Sequence, residues 1–200
     1  MKFKYYDTLS QLVMGFIFLV VLMYVIGLQY DKSYSVPYLA FAFVIGYFIN
    51  TISSLLEGFF YWTIGGMPSD KLLKMKQGKK YSGISKVRFY QTSKVIQLLK
   101  EDVEDKDANE RKMFSKAMRI ANSNEKSRVH DFNALYAFSR VVLTTFLLIT
   151  AILIIKYPCC WKTYFIIIPL LLAWERYRER GYYYAKEVLN EYIEYKEKQL

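Results

Sequence analysis

The sequence predicts an all-α integral membrane protein with four transmembrane helices in two hairpins, a helical cytosolic insert between spans 2 and 3, and a helical C-terminal extension. Two uncharged runs, 8–30 and 33–56, each exceed the about 20 residues that a helix needs to cross a bilayer core. Two shorter apolar runs, 141–155 and 163–174, lie near the C-terminal end, and a polar, basic stretch separates the pairs. The four expected parts, in this order, are residues 1–63, 64–131, 132–183 and 184–200.

The first hairpin has the clearer pattern. Lys2 and Lys4 precede its first run, as in a signal peptide, but the run has 23 residues. Because the apolar core of a signal peptide has only about 7–15 residues, we expect a retained span. The second run contains Pro37 near its start, where a helix tolerates proline.

The second hairpin is predicted from shorter runs, of 15 and 12 residues. Spans built on these runs would carry Arg140 on one helix, and Glu175 and Arg176 on the next, to membrane depth. The alternative is a pair of buried helices in a water-soluble domain. Lysine and aromatic residues in the turn at 156–162 are typical of the headgroup region and favour the membrane hairpin.

The distribution of lysine and arginine predicts the orientation. Sixteen of them lie in residues 64–132, whereas the short loops 29–35 and 156–162 carry three in total. Because basic segments stay on the cytoplasmic side, we expect the insert and both termini in the cytoplasm.

The net charge of +10 has two interpretations. The basic side can serve topology and contact with anionic lipid, or it can bind an anionic nucleotide or nucleic acid. The ligand-binding residues expected under the second interpretation, chosen by charge alone, are Lys79, Lys80, Arg88, Arg111, Lys112, Arg119 and Arg128.

Two helices are predicted within the insert, over about 85–103 and 108–122. Asp107 and Glu110 have the spacing of a capping box at the start of the second helix. A later cap, Ser127, is expected to open a helix that runs without a break into the third span.

The C-terminal part is predicted to form one helix over 162–197, about 54 Å long. A tyrosine-rich stripe follows its helical repeat and should have a partner, because such a stripe is rarely left in water. The stripe consists of Tyr177, Gly181, Tyr184, Val188, Tyr192 and Tyr195.

Charges at membrane depth are the candidate functional groups of the spans. Arg140 lies about 24 Å inward from the outer turn and Glu175 about 20 Å, and Glu57 reaches a similar layer on the second helix. Such charges need partners or water. They form either a structural ion pair, Arg140 with Glu175 or Glu57, or a charged constriction of a pore. The residues expected at this pore, gate or ion pair are Glu57, Arg140, Glu175, Arg176, Asn50 and Thr144.

No catalytic signature occurs, so we expect no enzyme activity, no cofactor and no metal site. His130 is the single histidine, and its neighbour Asp131 would not face it on a helix. The adjacent Cys159 and Cys160 would form a strained disulfide, and no chemistry is assigned to them.

Two stretches carry a resemblance to a known group: SRVHDFNALYAFSR at 127–140 and RYRERGYYYAKEVL at 176–189. They resemble small four-pass membrane effectors of bacterial anti-phage loci that also encode a nucleotidyltransferase, as in Hailong-type and related nucleotide-signalling defences. The resemblance implies a bacterial inner-membrane channel, gated from the cytosol by a nucleotide or a short single-stranded oligonucleotide, with a nucleotidyltransferase as partner. It transfers no site residue.

Three functions remain open on these observations. The first is an oligomeric ion channel or pore gated by an anionic ligand; a homo-oligomer, with a tetramer favoured, is expected because one four-helix bundle encloses only its own side chains. The second is a non-conducting scaffold or partner-anchoring subunit that docks through the C-terminal helix. The third is a lipid-modifying enzyme that uses His130, Asp131 and Arg140.

Overall fold

The structure is a computed structural model that describes residues 2–74, 87, 89–103, 109–124, 127–158 and 161–199. In these ranges every regular element is helical, which confirms the predicted all-α class. The α-helices are α1 (Lys2–Ile26), α2 (Ser35–Leu55), α3 (Glu57–Thr63), α4 (Pro68–Lys74), α5 (Thr92–Val103), α6 (Glu110–Ser123), α7 (Val129–Lys156) and α8 (Ile167–Glu197). Short 3₁₀ helices, Lys32–Tyr34 and Trp161–Ile166, precede α2 and α8.

Three helical stretches in the described ranges are long and apolar enough to cross a membrane. They are Thr8–Ile26, Lys32–Leu55 and Val129–Lys156, and they correspond to the first three predicted spans. The first half of α8 does not meet the same criterion, because Glu175 and Arg176 end its apolar run early. The fourth span therefore stays a prediction.

The first compact unit consists of residues 1–60 and 137–177. In it α1 and α2 form a tight antiparallel pair, in which Gly15 faces Ala42 and Gly46 faces Gln11. A Cβ atom added to Gly15 would lie 1.8 Å from the carbonyl oxygen of Ala42, so the backbones approach as only glycine permits. A small apolar core made of Met14, Ile49 and Val141 ties α7 to this pair.

The second compact unit consists of residues 61–136 and 178–200. Its core joins α4, α5, α6, the start of α7 and the C-terminal half of α8. The insert thus covers part of the tyrosine stripe: Val188 and Tyr192 are fully buried in the core that the insert and α8 share, and Tyr184 packs against this core. Tyr195 departs from the stripe, since it is exposed.

Element boundaries within the insert differ from the expected ones. The helix predicted from residue 85 begins at Thr92 in the described chain. Asn109 caps α6: its Oδ1 accepts a hydrogen bond from the Lys112 N–H at 2.9 Å. Asp107, the predicted cap, lies outside the described residues. The Ser127 cap is confirmed: its Oγ accepts a hydrogen bond from the Val129 N–H at 3.2 Å.

The two compact units divide the chain within helices. The predicted boundaries follow residues 63, 131 and 183, whereas the two units divide after residues 60, 136 and 177. These three points fall inside α3, α7 and α8. Because helices continue through them, no loop or change of composition marks the boundaries in the sequence.

Candidate functional site

An open groove with a basic lining lies beside α6 in the second unit. Its volume is about 650 Å³, in the range of about 300–1,000 Å³ that is usual for ligand sites. The described residues that line it are Val103, Asn109, Arg111, Lys112, Ser115, Lys116 and Arg119. Five of these seven belong to α6, so one helix supplies most of the surface.

The helical repeat of α6 explains why these side chains meet. Met113, Ala117 and Ala121 are buried at intervals of four residues in the core of the second unit. Residues at positions 111, 112, 115, 116 and 119 consequently fall on the remaining surface of the helix. Burial of one face thus presents the basic residues together on the other.

Most of the described side chains that line the groove are basic. Two arginines and two lysines line it, and no carboxylate is among its described lining residues. Within the part of the chain that the structure describes, Arg111 and Arg119 form no ion pair, whereas Glu110 at the start of α6 pairs with Lys74 at 3.6 Å. Exposed cations close together on one helix face attract anions.

Three of the seven residues chosen by charge, Arg111, Lys112 and Arg119, line this groove together. Charge alone missed Lys116 and Ser115, which complete the same face. The signal for them was available, since basic residues at helical spacing with small apolar residues between them indicate one basic face. The other predicted ligand residues Lys79, Lys80 and Arg88 lie outside the described residues.

Arg128 does not line the groove. Its guanidinium lies 5.5 Å from the ring centroid of Phe132 and its Nε lies 3.9 Å from a carboxylate oxygen of Glu187. The structure therefore places this predicted ligand residue at the start of α7, engaged with an aromatic ring and a carboxylate.

A polar cluster connects the end of α5 to α8 next to the groove. Lys196 Nζ and Tyr192 Oη donate hydrogen bonds to Asp102 at 2.6 Å and 2.8 Å, and Val103 lines the groove. Burial raises the pKa of Asp102, but the two hydrogen bonds and the charges of Lys196 and Lys116 outweigh it, so the pKa lies below its ordinary value. These contacts stabilise the folded state above the ordinary carboxyl pKa and are lost as the pH falls through the lowered value.

A second candidate site lies in the first unit, around Arg140. One guanidinium nitrogen lies 3.0 Å from a carboxylate oxygen of Glu57, and another donates a hydrogen bond to the Ser54 hydroxyl at 3.0 Å. The Arg140 side chain is 14% exposed and the Glu57 side chain 29%. Of the two ion-pair partners that the sequence suggests, Glu57 is the one within reach of Arg140 in this arrangement.

The other predicted pore residues have different positions in the first unit. Glu175 and Asn50 are half-buried and Arg176 is exposed. Thr144 is fully buried, and its hydroxyl donates to the carbonyl of Arg140 at 3.0 Å. The position of Thr144 fits helix packing, which the sequence offers as the alternative to a pore lining.

Hydroxyl groups in the candidate spans bond to their own helices. Thr145 and Thr150 donate to carbonyls four residues earlier, at 2.9 Å and 2.6 Å. Ser53 and Ser54 both donate to the carbonyl of Asn50. Polar side chains satisfied in this way can lie in lipid without an unsatisfied donor.

His130 is half-buried in the first turn of α7. In the described ranges, no group of three or more His, Cys, Asp or Glu residues is arranged to hold a metal ion. Comparison with known proteins finds no family model, curated protein or solved structure that matches the chain.

Proposed function

We propose that this chain is an integral membrane protein with four spans, whose second unit lies in the cytoplasm. The candidate spans bury little of their surface within the chain: 22% of the apolar window of each of the first two. Eight large apolar side chains on α2 are between 40% and 79% exposed. These are Val36, Leu39, Phe41, Phe43, Val44, Tyr47, Phe48 and Leu55. Lipid or a further subunit would cover such a surface.

The core of the second unit supports an even number of crossings. It contains residues before the third span, such as Leu99, and residues after it, such as Val188. The chain leaves this unit after Tyr136 and returns at Arg178. Because both ends pack in one core, they lie in one compartment, so a crossing by α7 requires a return crossing by residues 161–177.

The helical conformation of residues 161–177 makes this return segment almost as long as the membrane core is thick. The 3₁₀ helix Trp161–Ile166 rises about 2.0 Å per residue, more than an α-helix does. Together with Ile167–Tyr177 at about 1.5 Å per residue, it extends about 28 Å. A hydrocarbon core is about 30 Å thick, so residues 161–177 are about long enough to cross it although their apolar run is short.

We further propose that the protein is an oligomeric channel-type effector, controlled by a nucleotide or oligonucleotide bound to the second unit. The basic groove along α6 is the single observation that carries the ligand proposal, because arginine side chains such as Arg111 and Arg119 donate hydrogen bonds that suit phosphate oxygens. Binding that favours one packed state would shift the population of channel states. A role in anti-phage defence, with a nucleotidyltransferase as partner, is proposed from the resemblance of residues 127–140 and 176–189.

The proposed channel would lie between subunits in the membrane. Thr51 and Ser54 are exposed on α2, and half-buried Asn50 lies one turn from Ser54. Polar residues on an outward face of a span can contact a neighbouring subunit or line a shared pore. The ion pair of Arg140 with Glu57 would lie at the inner end of that span.

Planar bilayer recording tests the channel. Purified protein is recorded with an eight-nucleotide DNA oligomer added to one chamber at a time. We expect the conductance to change only when the oligomer is on the side of the second unit, and the double variant Arg111→Gln/Arg119→Gln (the groove variant) to lose this response. The control variant Lys100→Gln/Arg128→Gln removes two exposed cations outside the groove and should respond as the wild type does. Absence of current under any oligomer, voltage or pH would exclude the channel.

A further inference from the structure

We infer that one end of the first unit lies in the phospholipid headgroup layer and contacts it through a cluster of aromatic rings. We call this end the aromatic rim. It consists of Tyr24, Tyr30, Tyr34, Tyr38, Tyr157 and Trp161. The inference rests on the proposed function, in which the first unit spans a membrane, and it names the lipid region that this surface contacts.

Three segments of the chain bring their rings together at the rim. Tyr24 lies near the end of α1, and its ring centroid is 6.3 Å from that of Tyr157, which follows α7. At the start of α2, the ring centroid of Tyr38 lies 5.1 Å from that of Tyr30 and 6.4 Å from that of Tyr34. Because α1 and α2 pack as an antiparallel pair, the end of one helix and the start of the other lie at the same end of the unit.

The chemistry of the rim suits the boundary between acyl chains and headgroups. Tyr24 is 69% exposed and Trp161 is 67% exposed, so large rings lie on the surface. Each combines an apolar ring with a polar O–H or N–H group, and such residues are enriched at both faces of a membrane. Lys32 and Lys156 are exposed in the same segments and can contact lipid phosphates. A headgroup layer accommodates the rings and the ammonium groups together, whereas neither water nor the hydrocarbon core does.

The distance from the rim to the ion pair of Arg140 with Glu57 agrees with this depth. Along α7, Arg140 is 17 residues from Tyr157, which corresponds to about 26 Å. Along α2 and into α3, Glu57 is 19 residues from Tyr38, about 29 Å. Both lengths approach the about 30 Å of a hydrocarbon core, and a charged pair is least costly near its boundary. With the rim in one headgroup layer, the ion pair reaches the opposite boundary.

Fluorescence quenching by brominated lipids tests the depth of the rim. The chain with Trp62→Phe and Trp174→Phe retains Trp161 alone and is reconstituted in phosphatidylcholine vesicles, brominated either near the headgroup or near the end of the acyl chain. We expect bromine near the headgroup to quench Trp161 at least about twofold more strongly than bromine near the chain end. The control chain also carries Trp161→Phe and Phe48→Trp. Position 48 is exposed on α2, ten residues or about 15 Å from Tyr38, so its fluorescence should be quenched in the opposite order.

The outcomes separate this inference from the proposed function. If deep bromine quenches the control chain while only aqueous iodide quenches Trp161, the rim lies in water, and the inference fails while the spans stand. Protection of Trp161 from both bromine positions and from iodide would mean that a second copy or another protein covers the rim, which also overturns the inference. A ratio below about twofold, or a stronger effect of the deep bromine, would place the rim within the hydrocarbon core and overturn it as well. Absence of lipid quenching in both chains would overturn the inference and the membrane topology together.

A second measurement covers a single-tryptophan chain that does not fold. The quenching of the wild type is then compared with that of Trp161→Phe, a substitution that changes only one exposed ring. The difference between the two reports the depth of Trp161, and the same outcomes apply to it.

Discussion

At the scale of single residues, Arg140 shows both what the sequence determines and what it leaves open. Its depth follows from counting helical residues inward from the outer turn, and this gives Glu57 and Glu175 as partners at a similar height. Counting does not fix the rotation of each helix about its axis, and that rotation decides which carboxylate faces the guanidinium. In the structure the Arg140–Glu57 pair is made, with Ser54 as a further acceptor.

Arg140→Leu is expected to destabilise the first unit by about 2 kcal/mol. The substitution removes a cation that contacts the Glu57 carboxylate, a cost that reaches about 3–5 kcal/mol for fully buried pairs and is smaller here because Glu57 is partly exposed. The double variant Glu57→Leu/Arg140→Leu should recover part of the loss, since it removes both charges. Unfolding by sodium dodecyl sulfate in mixed micelles measures both. If the double variant lost as much stability as Arg140→Leu and Glu57→Leu lose in sum, the Arg140–Glu57 ion pair would not stabilise the unit.

At the scale of elements, glycine controls the first hairpin. The sequence predicts two long apolar helices but not how closely they pack. Gly46 contacts the backbone of Gln11: an added Cβ would lie 1.9 Å from the carbonyl oxygen of that residue. Neither helix could move aside by this amount and keep its present packing. The close crossing is thus a property of two glycines, while length and apolarity set only the number of crossings.

Gly46→Ala is therefore expected to destabilise the hairpin by about 3 kcal/mol or more, because overlap with rigid backbone cannot be relieved by rotating a side chain. Gly58→Ala is the matched control: this glycine is also helical, and an added Cβ meets nothing within 4 Å. It should be neutral or gain up to about 1 kcal/mol from helix propensity. Unfolding in mixed micelles, with helicity followed by circular dichroism, compares the two. Equal stability of the two variants would refute the close approach.

At the scale of the whole molecule, the sequence predicts the all-α class and three of the candidate spans because these depend on composition along one segment. It does not predict that the insert and the end of α8 form one core, because that contact joins residues far apart in the chain, such as Leu99 and Leu189. The groove itself was not predicted, for the same reason: charge identified Arg111, Lys112 and Arg119, whereas the face they share depends on which side of α6 is buried.

This core provides the test of the proposed topology. If residues on both sides of the second hairpin lie in the cytoplasm, the turn between α7 and α8 lies outside the inner membrane. Cys159 and Cys160 are the only cysteines of the chain; they lie outside the described residues and come between α7 and α8 in the sequence. After mild reduction, a membrane-impermeant maleimide should label them in intact spheroplasts.

A control chain carries Cys159→Ser, Cys160→Ser and Ser93→Cys, with its single cysteine at an exposed position of α5. It should react only after the membrane is permeabilised. Labelling of the native cysteines that also requires permeabilisation, together with an inner Ser93→Cys, would contradict the second hairpin, because α7 would then not cross. Reaction of Ser93→Cys in intact spheroplasts would instead reverse the orientation that the basic residues predict. Only an outer turn combined with an inner α5 agrees with four spans and a cytoplasmic second unit.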